Sequence, residues 1–120
     1  MRIADTSFLY AFFNRNDRHH EEAVKSMRDP EPIDIPHGIL QEMLDLMRYR
    51  QNKDAARKAH DYLLGLPHVE VLTLEHGPAL AGVWQEHKKL SYADAQGVQA
   101  AMMSGGALLT FDKDQLKALS

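Results

Sequence analysis

The opening stretch Arg2-Ile3-Ala4-Asp5-Thr6-Ser7-Phe8-Leu9 leaves little freedom to any fold that contains it. A short apolar run stops at an acid, two hydroxyl residues follow, and a second apolar run, Phe8 to Phe13, begins at once. The pattern predicts a buried strand ending at Asp5 and a helix that starts without a loop, capped by Thr6 or Ser7. If the strand lies in a parallel sheet, Asp5 projects into the crevice beyond the strand ends, where open α/β sheets bind ligands.

The rest of the chain repeats the alternation. Asp17 is expected to cap a second helix with His20, Ala23, Val24 and Met27 as its inner stripe, stopped by Asp29-Pro30-Glu31-Pro32. Ile33-Asp34-Ile35 alternates as a short strand does. From His37 the period is helical: Leu40, Met43, Leu44 and Met47 share a face, Ile39 and Leu46 widen it, and Glu42 falls at its edge. Gln51-Asn52 separates a further helix with Ala55, Ala59, Tyr62 and Leu63 inward, ended by Gly65 and Pro67. His68 to Leu74 reads as a strand. The stripe His76, Ala79, Leu80, Val83, Trp84 and His87 reads as a helix. Ser91-Tyr92-Ala93-Asp94 opens another helix through Ala95, Val98 and Met102, Ala107 to Phe111 is the last strand, and Asp112 begins a final short helix. Four strands and about seven helices in alternation imply an α/β fold, with right-handed crossovers, a parallel sheet and helices on both faces.

Composition excludes several classes. With 120 residues, 44% of them hydrophobic and 26% charged, the chain is expected to form one soluble domain, residues 1–120. There is no cysteine, which removes disulfides, thiolate zinc sites and cysteine nucleophiles. Asp5 interrupts the first apolar stretch, so no signal peptide is expected, and no apolar run approaches the roughly 18 residues of a membrane span. A cytoplasmic location is the default. A net charge of −3 speaks against a simple cationic nucleic-acid binder, but not against a nuclease whose carboxylates hold metal.

Four acids are candidates for one site: Asp5, Glu42, Asp94 and Asp112. Each has an ordinary reading. Asp5 serves as a helix cap, Ser91 with Asp94 and Asp112 with Gln115 have capping-box spacing, and Glu42 fits a solvated helix face. As a set they require more. Asp5 and Asp112 end strands and Asp94 lies in a first helical turn, so the three point to one sheet edge. Gathered carboxylates raise one another's pKa unless a hard divalent cation neutralises them; oxygen ligands without thiolates or a zincin histidine pair indicate Mg²⁺ or Mn²⁺.

The stretches IADTSFLYAFF, ILQEML, LSYADAQGVQAA and GGALLTFDKDQL, in this order, resemble the PIN-domain family, and more narrowly the short VapC-type ribonuclease toxins of toxin–antitoxin pairs. The resemblance implies a PIN-like three-layer α/β/α sandwich with a short parallel sheet. It makes Asp5 the strand-end acid, Glu42 the helix acid, Asp94 the acid of Ser-x-x-Asp-Ala and Asp112 that of Thr-x-Asp, flanked by the hydroxyls of Thr6, Ser7 and Thr110. It further implies metal-dependent hydrolysis of RNA to a product carrying a 5′-phosphate, and an antitoxin partner. That partner is expected along Phe8 to Phe13 and Leu40 to Met47, with a basic side chain among the acids. Two departures stand out. Gln115-Leu116 follows Asp114 where the family commonly has an aromatic, and the sequence stops at Ser120, before the edge strand that many members carry.

Arg48, Arg50, Lys53, Arg57 and Lys58 are candidate RNA contacts, set against a solvated face; Arg15, Arg18, His19 and His20 form a second such group. The seven histidines lack metal-ligand spacing, and His76 and His87 read as core or interface residues. Trp84 is expected in the core, or, if exposed, at a homodimer contact. A haloacid-dehalogenase-type phosphatase needs a second aspartate two residues after the first, where Ser7 stands. No glycine-rich phosphate loop is present. The non-enzymatic rival is a silent PIN-like binding module, which has no chemical reason to keep four repelling acids.

Overall fold

The computed structural model describes residues 1–119. Among them are four strands, β1 (Arg2–Ala4), β2 (Ile33–Pro36), β3 (Val69–Leu72) and β4 (Ala107–Leu109), and seven helices: α1 (Thr6–Phe13), α2 (His20–Arg28), α3 (His37–Arg50), α4 (Lys53–Gly65), α5 (Pro78–Glu86), α6 (Tyr92–Ser104) and α7 (Lys113–Leu119). The strands form one parallel sheet in the order β3-β2-β1-β4. The chain steps outward from β1 through β2 to β3, then crosses back to place β4 on the other side of β1. The β1–β4 junction is therefore the topological switch point, and Asp5 stands at its carboxyl end.

Alternation along the strands sorts side chains between two helical layers. Ala4, Ile33 and Ile35 join a core with α1 to α4, built on Phe8, Leu9, Ala23, Met27, Ile39, Met43, Met47, Ala59 and Leu63. Ile3 packs on the opposite face against Ala100 and Ala101 of α6, with Leu72 and Leu108 alongside. Leu80 and Val83 of α5 close that layer against Ala95 and Val98. Arg2 belongs to the first layer, where its guanidinium donates to the carbonyls of Ser26, Asp29 and Glu31 and fixes the end of α2 to the sheet.

Two helices from different layers meet at the sheet end, and this meeting brings the candidate acids together. Gly38 N–H in the first turn of α3 donates to Oε1 of the buried Gln96 of α6 at 3.0 Å. A Cβ at Gly38 would lie 2.2 Å from the Gln96 amide nitrogen, and one at Gly97 would lie 2.9 Å from Ile39 Cδ1. Only residues without side chains allow the helices this close. The approach carries Glu42, one turn on, toward Asp94.

Several local expectations are corrected. The first helix is capped by Asp5 rather than by Thr6 or Ser7: its Oδ1 accepts from Phe8 N–H at 2.9 Å. Asp17 does not cap α2; it accepts from His19 N–H within the preceding turn, and the helix starts at His20. β3 and β4 are shorter than their apolar runs, because pairing ends at Leu72 and Leu109. Trp84 is 43% exposed and Met102 and Tyr62 are also exposed, because each lies on its helix beyond the arc that neighbouring elements cover. His76 precedes α5 and stacks on Tyr92, and His87 follows the helix. Ser120 lies outside the described residues. No helix among those described is long and apolar enough to cross a membrane.

Candidate active site

Asp5 is completely buried at the carboxyl end of β1. Its carboxylate accepts from Phe8 N–H at 2.9 Å, from Ser7 Oγ at 2.9 and 3.2 Å, and from Thr110 Oγ1 through a short bond. Ser7 Oγ in turn accepts from Phe111 N–H at 2.9 Å, and Thr110 Oγ1 accepts from Asp112 N–H at 3.0 Å. Asp5 thereby ties the segment after β4 to the first turn of α1 across the switch point.

Thr6 Oγ1 donates to Glu42 Oε1 at 2.7 Å, and Ser91 Oγ donates to the other Glu42 oxygen at 3.3 Å. The expected capping box of α6 is present: Ser91 Oγ accepts from Asp94 N–H, and Asp94 Oδ2 accepts from Ser91 N–H at 3.1 Å. The other Asp94 oxygen accepts from Gln115 Nε2 at 3.1 Å. Asp112 Oδ1 accepts from Asp114 N–H at 2.8 Å. The expected box partner of Asp112 is absent because Gln115 turns inward to Asp94.

Thr6, Ser7, Glu42, Asp94 and Asp112 line one cavity of about 370 Å³, with Asp5 immediately behind Ser7. A larger cavity of about 600 Å³ lies between the β3–α5 connection and α6, but its walls are mostly apolar and contain none of these four acids. Burial pushes the Asp5 carboxyl up to about 6, against the opposing effect of its Thr110, Phe8 and Ser7 hydrogen bonds and with added repulsion from Asp94. Burial also raises Asp94 above the ordinary carboxylate range; Ser91 counters it, and the charges of Glu42 and Asp112 add to it. Asp94 feels the charges of Glu42 and Asp112 and in turn raises Asp5, which places it at the electrostatic centre of the group.

The donor chemistry fits a hard divalent cation. The oxygens are carboxylate and hydroxyl, and burial with mutual repulsion favours a positive counter-charge. Both oxygens of Asp5, Glu42 and Asp94 and one of Asp112 accept hydrogen bonds, and no three described His, Asp or Glu residues form a group that would hold an ion.

The candidate RNA contacts are divided. Arg50 lines the acid cavity, whereas Arg48, Lys53 and Arg57 line a separate cleft between α3 and α4 with Asp45 and His60. Arg57 and Lys58 pair with Asp54 on an exposed face, which is the solvated reading. His20 donates to the Ala11 carbonyl and is structural, while His19 faces the cavity. Gln115, Tyr10 and Phe111 are wall residues that sequence reasoning did not select. The departure at Gln115 was the available signal for one of them.

A family model for the PIN domain matches residues 2–119. The chain belongs to the PIN-domain family. No curated protein matches it by sequence. Among solved structures, it is similar to Mycobacterium tuberculosis VapC20, described as a sarcin–ricin loop cleaving toxin, with a TM-score of 0.81 and 23% identity over 98% of this chain and 95% of that one. VapBC2 from Rickettsia felis, bound to a DNA fragment from their promoter, gives 0.68 and 12% over 98% and 92%. PAE2754 from Pyrobaculum aerophilum gives 0.62 and 24% over 98% and 78%. At these identities the likeness is one of fold, and it agrees with the expected PIN-like α/β/α sandwich.

Proposed function

We propose that this PIN-domain chain is a metal-dependent endoribonuclease and the toxin of a toxin–antitoxin pair, working as one domain over residues 1–120 in the cytoplasm. The observation that carries the reading is the gathering of Glu42, Asp94 and Asp112 on one cavity, with Asp5 behind them at the switch point. The sarcin–ricin loop cleaving activity named for VapC20 supports RNA as the substrate class.

In this reading Asp5, Glu42, Asp94 and Asp112 hold Mg²⁺ or Mn²⁺. Once bound, the cation supplies Lewis acidity to the scissile phosphate and a water-derived nucleophile at neutral pH. The chain's own groups set the geometry. Asp5 orients Ser7 and Thr110; Thr6 and Ser91 hold Glu42; Ser91 and Gln115 hold both oxygens of Asp94. No side-chain nucleophile is required.

The antitoxin reading draws on a second surface. Phe12, Phe13, Met47, Ala59 and Tyr62 line an apolar cleft of about 470 Å³ along α1, α3 and α4, on the elements where the partner is expected. An amphipathic segment seated there would reach the acids with a guanidinium, which pairs bidentately with a carboxylate. A homodimer is proposed on the exposed Trp84. The test is induced expression of the chain alone and with its genomic neighbour, scoring growth and RNA integrity. Growth arrest with RNA loss, relieved by the neighbour, is expected. Unimpaired growth and intact RNA with soluble folded protein point instead to a non-toxin RNA-processing PIN nuclease or to a silent binding module.

A further inference from the structure

We propose that Arg50 and His19 form a strand-holding subsite for single-stranded RNA, Arg50 taking a phosphate and the His19–Phe111 ring pair taking a base; this rests on the reading of the acid cavity as an RNA-cleaving site. Glu42, Leu46 and Arg50 follow one another at a spacing of four on α3, and all three line the cavity. That spacing puts them on one helix face, with Arg50 two turns, roughly 12 Å, beyond the acid. Arg48 and its cleft lie elsewhere on the helix.

Arg50 is the only Lys or Arg among the residues lining a cavity that also presents Asp17, Glu42, Asp94 and Asp112. Among the described residues it makes no ion pair with any of them. Its guanidinium carbon sits 5.1 Å from the centre of the Tyr10 ring instead. The aromatic face holds the fork in place without consuming its donors. An unpaired guanidinium at the rim of an acidic cavity meets the main difficulty of the site, which is admitting a polyanion beside carboxylates. Arginine's planar fork suits a phosphate, and such contacts position a strand without reading it.

The same cavity also carries a column of rings. Phe8 in the core stacks on Phe111 at 6.3 Å, and Phe111 stacks on His19 at 4.1 Å with planes 4° apart. His19 Nε2 accepts from Arg18 Nε at 3.1 Å, so the ring is held by an edge as well as by a face. Single-stranded RNA is gripped largely by stacking of its unpaired bases on such rings. The column begins in the core, so its outer ring is a fixed platform.

The test is fluorescence anisotropy of a labelled single-stranded RNA oligonucleotide, titrated with the protein in EDTA at low salt so that binding is read without cleavage. A strand of the same length with abasic positions serves as a second probe. Arg50→Ala is expected to weaken binding about tenfold and to lower the salt dependence by about one phosphate contact. His19→Ala is expected to weaken binding of the normal strand about fivefold and of the abasic strand less than twofold. Arg48→Ala, from the other cleft, is expected to stay within about twofold of wild type. Equal losses for Arg48→Ala and Arg50→Ala, or no loss for Arg50→Ala, overturn the phosphate half. Equal effects of His19→Ala on both strands overturn the base half, and no binding by wild type overturns both. Cleavage in Mn²⁺ is scored separately, and its failure alongside intact, Arg50-dependent binding counts against the catalytic reading alone.

Discussion

Gln115 donates its Nε2 hydrogen to Asp94 Oδ1 at 3.1 Å from a side chain that is 1% exposed. Among the described residues its Oε1 is buried without a hydrogen-bond partner. A buried unmade acceptor costs about 1–3 kcal/mol, so this amide is held at some expense to stability. In the PIN-domain reading it fixes one oxygen of the acid at the centre of the group.

Gln115→Met keeps the volume, removes the orphaned acceptor and withdraws the donor from Asp94. Thermal stability is expected to change by less than about 1 kcal/mol, because the two effects oppose. Cleavage is expected to fall about tenfold in kcat with KM little changed, since the lost hydrogen bond is to Asp94. Steady-state kinetics with a melting curve on the same protein check both expectations.

Asp5 gives a pH dependence with a definite sign. Its folded-state pKa is raised from the usual 3.8 to about 6, so the folded protein holds a proton that the unfolded chain releases. Its contribution is most favourable below about 3.8, declines as pH rises to about 6, and is flat above that. Asp5→Asn removes this loss. Asn sets an NH2 where a carboxylate oxygen accepts from Ser7 and Thr110, which costs hydrogen bonds at both pH values, so the variant's stability relative to wild type is expected to be more favourable at pH 7 than at pH 4, by at most about 3 kcal/mol. Chemical denaturation at the two pH values measures the difference, and the same variant is expected to lose cleavage.

Gly38→Ala drives a methyl into the Gln96 amide and separates α3 from α6. A loss of about 1–3 kcal/mol is expected from the overpacking. Pairing it with Gln96→Ala, which opens the space, is expected to restore part of that stability. Double-mutant melting curves test the coupling.

Metal binding reads out in stability as well as in rate. Mn²⁺ at about 100 times its dissociation constant adds about 2.7 kcal/mol when only the folded state binds it. Wild type is expected to show this gain in a thermal shift, and Asp94→Asn is expected to lose most of it.

Much of this was legible because it is local. The step from apolar run to Asp5 to hydroxyls announces a strand end and a helix start within eight residues, and Ser91 to Asp94 announces its own capping box. Asp5, Asp94 and Asp112 follow from the ends of elements, whereas Glu42 lies within α3 and joins them through the family resemblance. Legibility ended where distant residues meet. Gly38 and Gln96 are far apart in the chain, and nothing near either one announces their contact. Gln115 matches a cap by spacing, yet its amide turns inward and donates to the half-buried Asp94, while Asp112 N–H donates to Thr110. Trp84 and Tyr62 matched apolar stripes but lie where no further layer covers the helix, and a periodicity does not state how many neighbours pack on it. Arg50 neighbours Arg48 in the sequence, yet its spacing from Glu42 through Leu46 puts it on the acid face.

The most direct test of the central claim is cleavage of a single-stranded RNA by the purified chain, followed on a gel in Mn²⁺ and in EDTA, with Asp94→Asn beside wild type. The account predicts cleavage by wild type in Mn²⁺ alone, and none by a folded Asp94→Asn. Cleavage that persists undiminished in EDTA or in Asp94→Asn would contradict it.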